Sequence, residues 1–474
     1  MKKSYFKSRN VHKSVLLLIF FCLHFSGIRA QYGYSNAAYA RGKMKSDHLM
    51  IPLPEEVVVE EYVNYHKHIL PMPSAGQNLH MDLRWANEEI PAGGNEAVLQ
   101  IGFTTQKMNG ISDAAPLNLC LVIDKSGSMQ GDRIENTRKA CRKLVERLRP
   151  QDMISIVVFN ESAGILYPSR VLGNDQSIFG IIDGIHADGS TDLNSGVVLG
   201  YREVLKNYDA EYTNKVILLT DALTNTGDVD TESIIRNANA WQKQNPVSFT
   251  IVGVGLDFNE NLARPLADSQ KNSIHFINNS EDIQKVFVDE IESLLSPVAR
   301  EVELEITYED GLNIEKIYGY KPFMQSRKVL VNLENMNNGL TQVVLIRFSA
   351  NKALSGKALT VRTKLKYRDV KKKKDETLEA SAVLQVRTDP KSWQMLKNQE
   401  VKKNYFIALM AQGLKDMAQT YRDGDQAKAK RIVSSTLDLV RKEYGSTIED
   451  ADIKRIYDVL SKYETEMNTI SQKY

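Results

Sequence analysis

Apolar positions recur along this chain with three different rhythms. The strand read at 117–123 is continuously apolar from Leu119 to Ile123, which predicts a strand covered on both faces as in a parallel sheet, where ligands collect at the carboxyl edge. It stops at Asp124, and Ser126 and Ser128 follow on alternate positions. Beyond Asp132 the spacing of Ile134, Thr137, Cys141, Leu144, Val145 and Leu148 predicts an amphipathic helix, so the intervening loop is held at both ends. Further apolar runs at 153–159, 215–220, 247–252 and 273–276 alternate with helical patterns at 132–148, 192–206, 231–242, 259–267 and 281–295. That alternation predicts a doubly wound α/β domain over 116–296.

On either side the rhythm is strict alternation. Leu79, Met81, Leu83 and Trp85 alternate, and 98–103 does so less strictly, which predicts two half-buried strands. Val302, Leu304, Ile306 and Tyr308 open a longer set, with 314–320, 329–333, 343–348, 359–367 and 378–386. Two lone strands cannot stabilise themselves, so those in 55–115 are expected to join those in 297–389 in one antiparallel β-sandwich. The α/β domain would be inserted in that sandwich or flanked by it. From about Ser392 the period becomes helical: Phe406, Leu409, Met410, Leu414, Met417 and Tyr421 mark one stripe, 432–444 a second, and Ile453, Ile456, Tyr457, Leu460, Tyr463 and Met467 a third. Gly424 and Gly445 separate them, giving a C-terminal α-helical tail over 390–474 that packs on itself or on the sandwich. Residues 31–54 hold no sustained period and read as a mobile arm; 57–65 reads as a short helix before the Pro71-Met-Pro73 stop.

Length and charge narrow the picture. At 474 residues the chain exceeds one ordinary core, and a formal charge of +2 with no basic half speaks against a nucleic-acid partner. Lysines and arginines precede Val15-Leu-Leu-Leu-Ile-Phe-Phe, and small residues end at Ala30, so 1–30 reads as a signal peptide too short in its apolar core to anchor a protein. No later stretch predicts a transmembrane anchor, and the mature protein is expected in the periplasm, at the cell surface or outside the cell. Cys120 and Cys141 remain after cleavage and read as buried thiols. An oxidising compartment would permit a disulfide, though a mid-strand and a mid-helix position seldom offer its geometry. His66 and His68 alternate, but without a nearby third ligand they are not read as a metal site. Gly253-Val-Gly255 lacks the third glycine and the downstream acid of a nucleotide fingerprint and reads as a tight turn. The lysine run within 368–376 reads as a solvated hairpin tip.

The strand-end motif Asp124-x-Ser126-x-Ser128, with Thr191 in Asp188-Gly-Ser-Thr-Asp192 and Asp221 closing Val216-Ile-Leu-Leu-Thr-Asp221, resembles the von Willebrand factor type A domain and its metal-ion-dependent adhesion site. The segment Val57-x-x-Glu60-Glu61-x-x-Asn64-Tyr65 is similar to the lead-in of the secreted YfbK-like group of such proteins. The resemblance implies that the two serine hydroxyls bind a divalent cation directly, with Thr191 joining them in the liganded state and Asp124 and Asp221 acting mainly through water. Hydroxyl donors favour Mg²⁺, with Ca²⁺ or Mn²⁺ as alternatives, and leave the ion electrophilic enough to take an Asp or Glu carboxylate from a protein partner. Two positions depart from the pattern: Ala222 stands where the family usually has Gly, and Asp192 sets a negative charge beside Thr191.

The expected function is therefore adhesion or protein interaction through that ion. The alternative is an envelope assembly or scaffold protein whose α/β domain is structural and whose sandwich or tail makes the contacts. No Gly-x-Ser-x-Gly elbow, His-Glu-x-x-His, phosphate loop or Cys with a His companion is present, and no enzyme is expected. The last helix of the α/β domain runs directly into the strand at Val302, so a shift of that helix on metal binding could reach the sandwich.

Overall fold

The computed structural model describes residues 37–94, 96–107, 115–223, 226–227, 230, 232–234, 236, 247–255, 258, 273–277, 297–352, 356–388 and 396–470. The expected signal peptide, most of the helix expected at 231–242, and all of those expected at 259–267 and 281–295 lie outside these residues.

Three sheets and their covering helices make up the described chain. It begins with helix α1 (Ala37–Asp47) and the short α2 (Val59–Asn64), then strands β1 (Leu79–Trp85), β2 (Glu89–Pro91) and β3 (Ala97–Thr105). The α/β part follows: β4 (Leu117–Asp124), α3 (Asp132–Val145), β5 (Met153–Phe159), β6 (Ala163–Val171), α4 (Ser177–Asp183), α5 (Leu193–Lys206), β7 (Thr213–Thr220), β8 (Ser248–Val254) and β9 (Ser273–Ile277). Eight strands come next: β10 (Pro297–Tyr308), β11 (Leu312–Ile317), β12 (Phe323–Gln325), β13 (Lys328–Asn332), β14 (Met336–Asn337), β15 (Thr341–Ala350), β16 (Ala358–Asp369) and β17 (Lys374–Arg387). Three helices close the chain, α6 (Gln399–Arg422), α7 (Gln426–Tyr444) and α8 (Ala451–Ile470).

The strands before and after the α/β part interleave. One sheet runs β1-β3-β15-β11; the other runs β12-β13-β10-β16-β17-β2, with β14 on β10. Their inner faces share one core, including Leu99, Ile101, Phe103, Leu304, Ile306, Val344, Ile346 and Leu365. β3 departs from the expected half-buried alternation, because all nine of its residues are buried. Its second face is covered as well: Val98, with Val343 and Leu345 of β15, packs against α2 and the tail residues Val401, Tyr405 and Leu414. A strand covered on both faces has no solvent side to alternate with.

Residues 37–47, expected within a mobile arm, instead form α1. Ala38 and Arg41 are buried, the Glu61 carboxylate accepts the Ala38 N–H at 3.0 Å, and the Tyr62 hydroxyl donates to the Ala38 carbonyl at 3.0 Å. The helix thus takes its order from α2 rather than from any apolar stripe of its own, which is why periodicity gave no sign of it.

In the α/β part the sheet order is β6-β5-β4-β7-β8-β9, parallel throughout except for β6. Connections leave β4 toward both sides, so the sheet has its topological switch between β4 and β7, where ligands gather in such folds. Two cores lie on its opposite faces, one holding Cys141 and the other Cys120. That placement explains why both cysteines are free and buried, with their thiols pushed up to about 12 by desolvation. β6 was not foreseen: Ile165, Leu166 and Val171 face outward, as an edge strand with one sheet neighbour allows.

Gly200 lets α5 lie close on the central strand, since a Cβ there would fall 2.4 Å from Val122 Cγ2. Gly200→Ala is expected to lower stability by about 1–3 kcal/mol in urea unfolding, because the helix must move off the sheet. An unchanged midpoint would mean that the helix has slack.

Candidate functional site

The carboxyl ends of β4 and β7 bring two acids together. Asp124 is the last residue of β4 and Asp221 follows Thr220, the last of β7; both are fully buried. Asp124 Oδ1 accepts the Ser126 N–H at 2.9 Å, which folds the loop back on the strand end. Its Oδ2 accepts the Thr220 hydroxyl at 2.6 Å, and the same Thr220 oxygen accepts the Ala222 N–H at 2.8 Å. These contacts fix both turns from one side chain. Burial pushes the Asp124 carboxyl up to about 6, against the pull of its Ser126 and Thr220 hydrogen bonds and with help from the charge of Asp221.

The hydroxyls complete the cluster. Ser126 Oγ and Ser128 Oγ lie 3.1 Å apart; Ser126 is buried while Ser128 is exposed. The loop carrying Thr191 is sewn to the serine loop by main-chain bonds, Gly127 N–H to the Gly189 carbonyl at 2.9 Å and Asp188 N–H to the Lys125 carbonyl at 2.7 Å. Thr191 is buried, and its carbonyl accepts the Thr226 N–H at 3.1 Å. The three chain points that carry the sequence motif are thus joined at one end of the sheet.

Both departures from the motif find structural accounts. Ala222 sits at φ +57°, a left-handed conformation that suits glycine and that alanine adopts at a cost. Asp192 caps α5, accepting the Ser195 N–H at 3.1 Å, so its charge meets the positive end of a helix.

Residues 118–289 match the family model of the von Willebrand factor type A domain. This segment is a von Willebrand factor type A domain. The chain is 28% identical over 313 residues to YfbK of Escherichia coli strain K12, covering 64% of this chain and 52% of that protein. It is 27% identical over 198 residues to the human inter-alpha-trypsin inhibitor heavy chain H4, covering 40% of this chain and 21% of that one. The chain therefore spans about half the length of the first relative and a fifth of the second. Among solved structures, the von Willebrand factor type A protein from Catenulispora acidiphila aligns over 83% of this chain and 98% of its own with a TM-score of 0.58 and 15% identity, a likeness of fold alone.

Two residues of this cluster escaped the sequence reading. Thr220, one position before the second acid, is the hydroxyl that ties Asp124 to β7. Arg133, in the first turn of α3, donates through Nη1 to Asp221 Oδ2 at 3.0 Å and to the Ser128 carbonyl at 2.9 Å. Only a helical projection of α3 back toward its own loop could have pointed to Arg133. No helix among the described residues is long and apolar enough to cross a membrane.

Thr220→Val, which keeps the shape and removes the hydroxyl, is expected to cost about 1–3 kcal/mol in chelator-treated protein. It strips Asp124 Oδ2 of a buried donor and the Ala222 N–H of its acceptor. Chemical denaturation checks this, and a loss below a few tenths would show the network to be dispensable.

Proposed function

We propose that this is an exported protein-interaction protein that grips a carboxylate of its partner through a divalent cation held by Asp124, Ser126, Ser128, Thr191 and Asp221. The observation that carries the reading is a pair of buried carboxylates, at adjacent strand ends, beneath hydroxyls that reach the surface at Ser128. The hydrogen-bond donors to Asp124 are neutral, so its ionised form wants a nearby positive charge, and the donor set is all oxygen, as a hard cation requires. Mg²⁺ fits the hydroxyl-rich set, and it would supply a Lewis-acidic seat for an incoming Asp or Glu side chain. Asp124 and Asp221 furnish charge from below; Ser126, Ser128 and Thr191 orient neutral oxygens without cancelling that charge. The domain's family, whose members typically mediate protein interaction, supports the same reading. The apolar run before Ala30 supports export.

Asp124→Ala is expected to abolish calorimetric Mg²⁺ binding, and to abolish Mg²⁺-dependent, EDTA-sensitive capture of partner from the native envelope. Capture that persists in the variant and in chelator would reject the metal bridge. Arg133→Gln removes a partly exposed positive charge that touches Asp221, an interaction whose net worth in solvent-accessible pairs is up to about 1 kcal/mol. It is expected to tighten Mg²⁺ binding about fivefold; weaker binding would show that Arg133 organises the loop rather than competing with the ion.

A further inference from the structure

A second cluster lies away from the A domain, where the chain leaving α2 meets the first turn of α6. His66 and His68 are buried there, their rings 4.6 Å apart, and Glu400 of α6 supplies the third ligand that sequence spacing alone did not reveal. One ligand-type atom from each of the three lies within 4.8 Å of the others.

A neighbouring amide decides where the His68 proton is. Asn64 Nδ2 donates to the Val343 carbonyl at 3.2 Å and its Oδ1 accepts the Val343 N–H at 2.7 Å, so the amide cannot be turned around. Its Oδ1 faces His68 Nε2 at 3.0 Å, and that nitrogen must carry the hydrogen. Asn404 bridges its side-chain amide between Gln100, at 2.8 Å, and His66 Nε2, at 3.0 Å. Burial holds both rings below the usual histidine range, His66 down to about 3 with His68 beside it adding to the effect. With Nε2 committed to Asn64, His68 offers Nδ1 as its remaining ring nitrogen. His68 Nδ1 is buried without a hydrogen-bond partner and faces Glu400 Oε1 at 3.8 Å. A lone pair aimed at a carboxylate oxygen in a buried site is repulsive unless a proton or a metal ion stands between them. Oε1 also accepts the Ile69 N–H at 3.2 Å, while Lys403 lies on the other oxygen, 3.9 Å from Oε2, and shares its charge with Asp452 at 3.3 Å.

We propose that His66, His68 and Glu400 bind a borderline transition-metal ion, Zn²⁺ in the first place, that fastens the segment after α2 to the first turn of the helical tail. Two imidazoles and one carboxylate form a nitrogen-and-oxygen donor set that suits zinc, with one position left for water. The two amides hold the far nitrogens as outer partners commonly do for metal-bound histidine. A tetrahedral shell with bonds of about 2.0–2.1 Å sets its ligands about 3.4 Å apart, so the cluster closes by a little over an ångström on binding. This site is independent of the cation at Asp124, which has only oxygen donors.

Zinc titration of the untagged protein against a chromophoric chelator, in excess Mg²⁺, tests it. One Zn²⁺ per chain is expected, retained in Asp124→Ala and weakened at least tenfold in His68→Phe and in Glu400→Gln. The second variant keeps the side-chain size and the acceptor for Ile69, so a folding failure in the first leaves the question decided. Co²⁺ in place of Zn²⁺ is expected to give the strong visible absorption of a four-coordinate ion, and Glu400→Gln to shift it. Absence of zinc binding, loss of it in Asp124→Ala, or affinity unaltered in Glu400→Gln overturns the proposal.

Discussion

The pairing of β3 with β15 is the constraint on which the rest of the molecule depends. Eight residue pairs, from Thr104 with Thr341 to Ala97 with Phe348, join chain segments that lie on either side of the whole A domain. Such a ladder closes a very long loop, yet the entropic cost rises only slowly with loop length, so an inserted domain is tolerated. What offsets that cost is burial on both faces: the sandwich core on one side, and α2 with the helical tail on the other. The tail is therefore part of the sheet's packing, and Asn64, bonded to both Val343 main-chain groups, pins the helical layer to β15.

In the A domain the governing term is electrostatic. Burying Asp124 and Asp221 at neighbouring strand ends costs free energy that neutral hydrogen bonds recover only in part. Arg133 meets Asp221 alone, which makes the cluster asymmetric: one carboxylate has a cation in contact, and the donors of the other are uncharged. The oxygens around Asp124 are where added positive charge would gain most.

Much of this was legible in the sequence because burial writes itself as periodicity. The continuous apolar run ending at Asp124 became the central parallel strand β4, and the alternation at Val302, Leu304 and Ile306 became β10, with those side chains in the sandwich core. Features set by distant partners left no such trace. β3 lost its alternation to a helical layer encoded some three hundred residues later, α1 draws its order from Glu61 and Tyr62, and Glu400 joins His68 only once the tail has docked. Arg133 was hidden for another reason: a charged residue in a first helical turn ordinarily points to solvent, and only the fold of the preceding loop turns it onto Asp221.

The two tethers of the A domain meet at one place. Thr105, ending β3, donates its hydroxyl to the Asn337 carbonyl, and Asn337 pairs with Pro297, the first residue of β10. Tension on the A domain would thus enter the sandwich through both sheets at a shared root. Because β3 is laddered to β1 on one edge and β15 on the other, a pull along its axis loads two rows of hydrogen bonds in shear rather than peeling one bond at a time. That is the geometry of a mechanical anchor.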